Sequence, residues 1–205
     1  LCKNNIGKNT MTTNNHLGGC IIEGDIGTFA PQVWDKLIEI YKPKTFLDIG
    51  CGAGHSLKYF LDKGVDGIGI EGWIEAIKRS KVSGNIVQHD YTLGEYEPKI
   101  NFDLSWCCEF VEHVEEKYIH NFMKTFSKCN VAAITHAVPG QPGYHHVNCQ
   151  NAQYWIDIFE KYNFHYNEEL SLSLRRLLRD ENGSPLPNGN HVMNTLMIFE
   201  KKSND

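Results

Sequence analysis

Short apolar runs alternate along this chain with stretches whose apolar residues recur every three or four positions. Val33, Trp34, Leu37, Ile38 and Tyr41 have helical spacing and predict a helix with one buried face. Thr28 is placed to cap it, Pro31 suits its first turn, and Pro43 stops it. Residues 45–49 form an apolar run that reads as a buried strand. A second amphipathic helix follows from His55 to Asp62, with Leu57, Phe60 and Leu61 inward and Gly64 placed to end it. Further strands are predicted near 66–70, 85–88, 103–108 and 131–135. Helices are predicted over 73–80, with Ile74 and Ile77 inward, and over 115–128, where Tyr118, Phe122 and Phe126 fall at four-residue steps.

Beyond residue 137 the pattern loosens. Residues 137–150 hold two prolines and two glycines and read as a loop. A helix over 151–162 buries Tyr154, Trp155, Ile158 and Phe159, and a strand over 164–170 follows. Residues 171–179 fit a helix or a bent strand, 181–190 a polar loop, and 193–201 the final strand. Strands and helices alternating at this rhythm imply a parallel sheet covered on both faces. Ligands bind such sheets outside the carboxyl ends of the strands.

The densest chemistry falls at the end of the first strand, in Asp48-Ile49-Gly50-Cys51-Gly52-Ala53-Gly54. Glycines there permit positive φ and close approach of a ligand to the backbone. The spacing D-x-G-x-G-x-G departs from the dinucleotide fingerprint G-x-G-x-x-G, and an acid two residues before the first glycine repels a pyrophosphate. It suits a ligand with a cationic end. The next strands also end in acids: Glu71 after Ile68-Gly69-Ile70, Asp90 after Ile86-Val87-Gln88-His89, and Glu109 after Phe102-Asp103-Leu104-Ser105-Trp106-Cys107-Cys108.

This series, covering about residues 28–137, resembles the class I S-adenosylmethionine-dependent methyltransferases. The resemblance implies an α/β, Rossmann-like three-layer sandwich with a mostly parallel seven-stranded sheet. Its last two strands would pair as a hairpin, the final one antiparallel to the rest. It implies S-adenosylmethionine as cofactor and S-adenosylhomocysteine as product. By resemblance, Asp48, Gly50, Gly52 and Gly54 hold the amino-acid end, Glu71 with Gly72 the ribose, and Asp90 the adenine amino group. Tyr91 would shield the ring, and Glu109 would stand where cofactor meets acceptor. Trp73 is placed either to pack on the adenine or to fill core.

Proton removal from an –OH or –NH acceptor suits a histidine near neutral pH. His113 and His146 are the candidates, as base or acceptor anchor. Glu109, Glu112 and His113 form E-x-x-E-H, a set that with His145 or His146 resembles metal-using RNA terminal-ribose methyltransferases. The same run also serves as a structural turn in metal-free relatives, and no metal ligand is assigned from sequence. Arg175, Arg176 and Arg179 read as a solvated basic face.

Composition narrows the acceptor. The 205 residues carry a net charge of −5 with 22% charged residues, which argues against an extensive nucleic-acid surface. A small-molecule acceptor, such as a sugar or another metabolite, is the expectation; RNA, protein or a non-catalytic cofactor-binding scaffold are the alternatives. Seven cysteines without a C-x-x-C pair fit reduced, cytoplasmic usage. No apolar run approaches the roughly 20 residues of a membrane span. Residues 1–17 are expected to form a flexible segment, incomplete or processed since it begins on Leu1. Residues 18–205 are expected to form one domain, with acceptor-side loops at 137–150 and 171–192. Leu17 to Gly27 reads as an ordered loop able to fold over the cofactor mouth.

Overall fold

The computed structural model describes residues 16–203. Its strands are β1 (Thr45–Ile49), β2 (Asp66–Glu71), β3 (Ile86–Gln88), β4 (Phe102–Cys107), β5 (Cys129–Ile134), β6 (Phe164–Tyr166) and β7 (Met197–Lys201). They form one sheet in the order β3-β2-β1-β4-β5-β7-β6. β1 pairs in parallel with β2 on one side and β4 on the other. The chain therefore reverses its direction of progress between β3 and β4. That leaves a crevice at the carboxyl ends of β1 and β4, the place where open α/β sheets bind ligands. β7 runs antiparallel to both β5 and β6, as the family resemblance implies.

The helices are α1 (Pro31–Tyr41), α2 (His55–Asp62), α3 (Ile74–Arg79), α4 (Ile119–Phe126), α5 (Ala152–Lys161), α6 (Glu168–Arg176) and α7 (Asn190–Thr195). Strand side chains alternate between two apolar layers, as a period of two requires. Phe46, Trp106, Ala133 and Ile198 join Val33, Trp34 and Leu37 of α1 on one face. Leu47, Cys107, Ala132 and Phe199 join Phe122 of α4 and Trp155 and Phe159 of α5 on the other. Each fully buried large side chain contributes roughly 1.5–3 kcal/mol, so the sheet is clamped on both sides and its edge is a rigid platform.

Several boundaries differ from the sequence reading, for local reasons. Ala30, not Thr28, caps α1, because the Thr28 hydroxyl is spent on the Asp25 carbonyl. β6 stops at Tyr166 because Asn167 caps α6, its side chain accepting from the Leu170 amide. The stretch left open at 171–179 is thus largely helix. The final strand begins at Met197 rather than Met193, since residues 190–195 turn as α7. β6 and β7 are consequently paired neighbours separated by two helices, not a tight hairpin. Ile74 lies half outside at 38% exposure, while Ala76 and Ile77 face inward. Of the segment expected to be flexible, residues 1–15 lie outside the described residues. His16 and Leu17 sit against the sheet edge described next. Among the described residues no helix is long and apolar enough to cross a membrane.

Candidate active site

A cavity of about 520 Å³ opens at the carboxyl ends of β1, β2 and β4. Asp48, Gly50, Gly52, Glu71, Gly72, Asp90, Tyr91, Glu109 and His113 all line it. The sequence-predicted residues thus converge on one hollow, with two exceptions. Gly54 faces away: a side chain there would meet Val82, Ile86 and Ser80 rather than the cavity. His146 stands behind His113, not on the lining.

The glycine loop is shaped by its neighbours. At Gly50, φ is +69°, and an added Cβ would fall 2.3 Å from the Phe110 ring. Only glycine tolerates both the left-handed backbone and that contact. Asp48, almost fully buried, uses Oδ2 to accept from the Ser56 hydroxyl (2.5 Å) and the Leu57 amide (3.0 Å). It therefore anchors the first turn of α2, whose leading amides lack helical partners. Burial pushes its carboxyl up to about 7, against the two hydrogen bonds, with the charge of Glu71 adding to the rise. A cation beside it would reverse that shift.

Glu71 ties the loop to β2. Its Oε2 accepts from the Gly52 amide (2.8 Å) and its Oε1 from the Trp73 amide (2.7 Å). Asp90 takes the Thr92 amide and hydroxyl on Oδ1, both at 2.8 Å, and His16 Nε2 at 2.8 Å on Oδ2. Tyr91 is 4% exposed and gives its hydroxyl to a pairing with Thr125. Its ring is packed edge-on to Phe110 and Phe122 in the core, so it does not lie open as a shield for a ligand ring. Trp73 is absent from the lining and packs near Gly18.

Residues 16–29 run across the mouth, and most of them line the cavity. They are pinned by His16 to Asp90, by the Tyr144 hydroxyl donating to the Leu17 carbonyl, and by His55 Nε2 donating to the Ile22 carbonyl. Gly27 and Ile26 bond the backbone of His191 and Gly189. This strap occupies the place that the sequence reading gave to an ordered loop over the mouth.

The acceptor side is assembled differently. After β4 the backbone enters the left-handed region at Glu109, φ +50°, a conformation that costs a non-glycine residue about 1–2 kcal/mol. Thr135 at the end of β5 compensates: its Oγ1 accepts from the Glu109 amide and donates to Oε1, both at 2.8 Å. Glu109 Oε2 faces His191 Nδ1 at 3.2 Å. Burial would raise the Glu109 carboxyl, but the bonds from His191 and Thr135 outweigh it and hold it below its usual range.

Residues 111–113 then form a single 3-10 turn, which places Glu112 fully inside. Neither of its carboxylate oxygens meets a donor, and its one side-chain partner is another acid, Glu109, with which it can share a proton. Burial, and then the Glu109 charge, drive this carboxyl well above its usual range, a proton shared with Glu109 adds to the rise, and the backbone amides of Glu112 and Ala137 oppose it. The Glu112 carbonyl accepts the amides of Val147 and Asn148 at 3.0 Å, and so draws the 137–150 loop onto this turn. The loop delivers His146, whose ring centroid lies 5.0 Å from that of His113. A carbonyl only accepts, so His146 Nδ1 must carry the hydrogen it shares with the Gln141 carbonyl (3.0 Å). In the neutral form of the ring Nε2 then carries the lone pair. His113 is held below its usual pKa, by burial first and by His146 second, which keeps it neutral.

One ligand atom each from Glu112, His113 and His146 lie within 4.8 Å of one another. An acid side chain buried without a donor and two imidazoles form a donor set that a divalent cation satisfies, the acid giving up its proton on binding. The sequence assigned no metal ligand; the geometry puts three candidates together. His145 is not among them: its ring instead neighbours that of His16. His191 and Thr135 were missed, the first because its segment read as polar loop and strand. Arg175 spends its guanidinium Nε on the Leu196 carbonyl and Arg179 its Nη1 on the Gly183 carbonyl, which gives two of the three arginines structural partners.

The model of the methyltransferase domain family matches residues 28–180. No curated protein matches the chain. Among solved structures, the methyltransferase domain of a bacterial protein, CtHen1-C, superposes with a TM-score of 0.58 at 19% identity, covering 85% of this chain and 97% of that one. An S-adenosylmethionine-dependent methyltransferase from Archaeoglobus fulgidus gives 0.58 at 18%, covering 88% and 96%. The sugar N-methyltransferase KedS8 from a Streptoalloteichus species gives 0.60 at 10%, covering 88% and 90%. At these identities the likeness is one of fold.

Proposed function

The chain belongs to the methyltransferase domain family, within the class I S-adenosylmethionine-dependent superfamily, and from that premise we propose that it methylates a hydroxyl of a sugar-type vicinal diol with the help of a divalent cation. The observation that carries this reading is Glu112, a buried carboxylate with no donor, facing His113 and His146.

S-adenosylmethionine supplies an activated methyl on a cationic sulfur. On the cofactor side the residues fit it. Asp48 offers negative charge to the cationic end, Glu71 keeps acceptor capacity for ribose hydroxyls, and Asp90 does so for the adenine amino group. Gly50 and Gly52 keep the loop clear of side chains. The strap and Phe110 exclude water from the transfer zone, and alignment supplies much of the rate.

On the acceptor side Glu112, His113 and His146 would hold the cation, which contributes Lewis acidity that favours ionisation of an acceptor hydroxyl. Three protein ligands leave positions open, and adjacent hydroxyls are the simplest group to fill two of them. This is why a diol is favoured over an isolated alcohol or amine. His113 and His146 thereby serve as holders of the acceptor side. Without a cation, His146 Nε2 would be the proton acceptor, one of the roles that the sequence reading left to His113 or His146.

The small-molecule and RNA readings share this chemistry, since a free ribose-type sugar and an RNA 3′ end both present the diol. The test is methyl transfer from labelled cofactor to ribose, to nucleosides and to a short RNA with a 3′-terminal diol. Each is assayed with EDTA and with Mn²⁺, Co²⁺ or Mg²⁺ added back. Transfer that needs the metal and the diol supports the proposal, and the preferred acceptor ranks sugar against RNA. Transfer indifferent to EDTA but lost in His146→Ala would replace the cation with a histidine base.

A further inference from the structure

The strap and the acceptor side meet at one residue that neither mechanism nor motif accounts for. His191 opens the chain's last helix, α7. Its Nδ1 lies 3.2 Å from Glu109 Oε2 and its Nε2 3.7 Å from Asp25 Oδ2. Around it, backbone bonds staple the strap down: the His191 amide to the Gly27 carbonyl (3.0 Å) and the Gly189 amide to the Ile26 carbonyl (2.9 Å). The Asn188 side chain donates to the Phe29 carbonyl at 2.9 Å. Asp25 itself is fixed by the Gly27 amide on Oδ1 at 2.7 Å. The fit is close, since a Cβ on Gly27 would stand 2.5 Å from Asn190 Oδ1 and from His191 Cδ2.

We propose that His191 is a positioning residue: it sets Glu109 from one ring nitrogen and reads the closed strap through Asp25 with the other. The role rests on the reading above that Glu109 stands between cofactor and acceptor. The physical argument is one of orientation. A carboxylate at the end of a strained turn has two rotamer-determining bonds here, Thr135 on Oε1 and His191 on Oε2. Thr135 belongs to the rigid sheet. His191 belongs to the segment that also holds the strap, so the strap bears on the second bond through Asp25 and the Gly27 carbonyl. The strap's opposite end reaches Asp90 through His16. One continuous segment therefore touches both the adenine end and the acceptor end of the cavity, and seating of the cofactor beneath it favours the Glu109 orientation used for transfer.

Two variants separate the ring nitrogens. His191→Asn keeps an N–H near the Nδ1 position and loses reach to Asp25. His191→Gln keeps a group near Nε2 and loses Glu109. The expected result is a fall in kcat of tenfold or more in His191→Gln, with KM for the cofactor within twofold of wild type, and recovery of most of that rate in His191→Asn. Equal kcat losses in the two variants, or no loss in His191→Gln, would overturn the role. A second measurement is independent of turnover. In amide hydrogen exchange with S-adenosylhomocysteine bound, Gly27→Ala should speed exchange at residues 26–29 by tenfold or more, while α4 stays protected. Unchanged exchange there would show that the clasp does not hold the strap and would remove the proposal. A wild-type protein that shows this protection yet methylates no diol would instead overturn the activity reading and leave the clasp standing.

Discussion

The two ends of the cavity treat their acids in opposite ways. At the cofactor end, Asp48, Glu71 and Asp90 each receive hydrogen bonds from backbone amides or hydroxyls of the loop or turn that follows the strand. At the acceptor end, Glu112 receives none and sits beside Glu109. The first arrangement is hydrogen-bonded within the protein: local dipoles offset part of the cost of burying Asp48 and Glu71, whose carboxyls stay raised, and a ligand adds to a frame already in place. The second is incomplete, because a buried carboxylate without donors costs several kcal/mol or stays protonated. The difference shows which half is built by its own sequence neighbours and which half awaits something from outside.

The largest effect that would break this comparison is at Glu112. Glu112→Gln keeps the shape and removes the charge. Methyl transfer should fall by about a hundredfold or more, of the order seen when a metal site is disturbed, while S-adenosylhomocysteine affinity by calorimetry stays within about twofold of wild type. The metal-free variant should melt about 2–8 °C higher than wild type, as removal of an unsatisfied buried acid stabilises by roughly 1–2 kcal/mol. A lower melting temperature together with wild-type transfer would mean that Glu112 is an ordinary core residue.

The same contrast decides what could be read in advance. Asp48, Glu71 and Asp90 are legible because each lies at the end of an apolar run, and a two-residue period fixes which end of the sheet it reaches. Acid, glycine and strand are neighbours in sequence as well as in space. The acceptor side depends on contacts across long separations. His146 reaches His113 because the Glu112 carbonyl captures the amides of Val147 and Asn148. Glu109 is oriented by Thr135 and His191, both far along the chain. No periodicity reports such contacts. E-x-x-E-H supplied the residue types, but its spacing does not report that a 3-10 turn puts Glu112 inside. Gly143 was the one local hint, a glycine shortly before a loop histidine.

Next in size is Asp48→Asn. S-adenosylhomocysteine affinity should weaken by about tenfold or more, since a charged hydrogen-bond partner contributes roughly 1.5–3 kcal/mol. The sign of the pH dependence follows from the raised carboxyl. Between its ordinary 3.8 and about 7 the folded protein holds a proton that the unfolded chain has released. Cofactor-free stability therefore falls as pH rises through that window, and Glu112, also raised, acts in the same sense. The lowered carboxyls of Asp90, Asp103 and Glu109 act oppositely at the acid end. The rise in melting temperature on adding S-adenosylhomocysteine should be larger at pH 8 than at pH 5 in wild type, and the difference should shrink in Asp48→Asn to what Glu71, also raised by burial, contributes. Equal rises in both proteins at both pH values would detach Asp48 from the cationic ligand.

Gly143→Ala is a smaller intrusion, confined to the acceptor end. The new Cβ would fall 2.1 Å from His146 Nε2, so the ring must leave its present position beside His113. Transfer should drop by about tenfold with cofactor affinity held, and excess Mn²⁺ should recover part of the loss if the displaced ring is a metal ligand. A loss of cofactor affinity in this variant would mean that the two ends of the cavity are not separable.

The smallest effect belongs to Gly54, and it sharpens the cofactor end rather than the acceptor end. The family resemblance gave this glycine to the ligand, yet a Cβ there would point at Val82, 2.9 Å away, on the far side of the loop. It stands at the N-cap of α2 with φ +73°, so its freedom serves the turn into the helix. Gly54→Ala should therefore cost about 1–2 kcal/mol through the left-handed backbone and the Val82 contact. That corresponds to roughly 2–8 °C in melting temperature for a chain of this size. S-adenosylhomocysteine affinity should stay near wild type below the melt. A variant that melts normally but binds tenfold more weakly would return Gly54 to the ligand, and would show that a residue facing away from the cavity can still set the loop amides that face it.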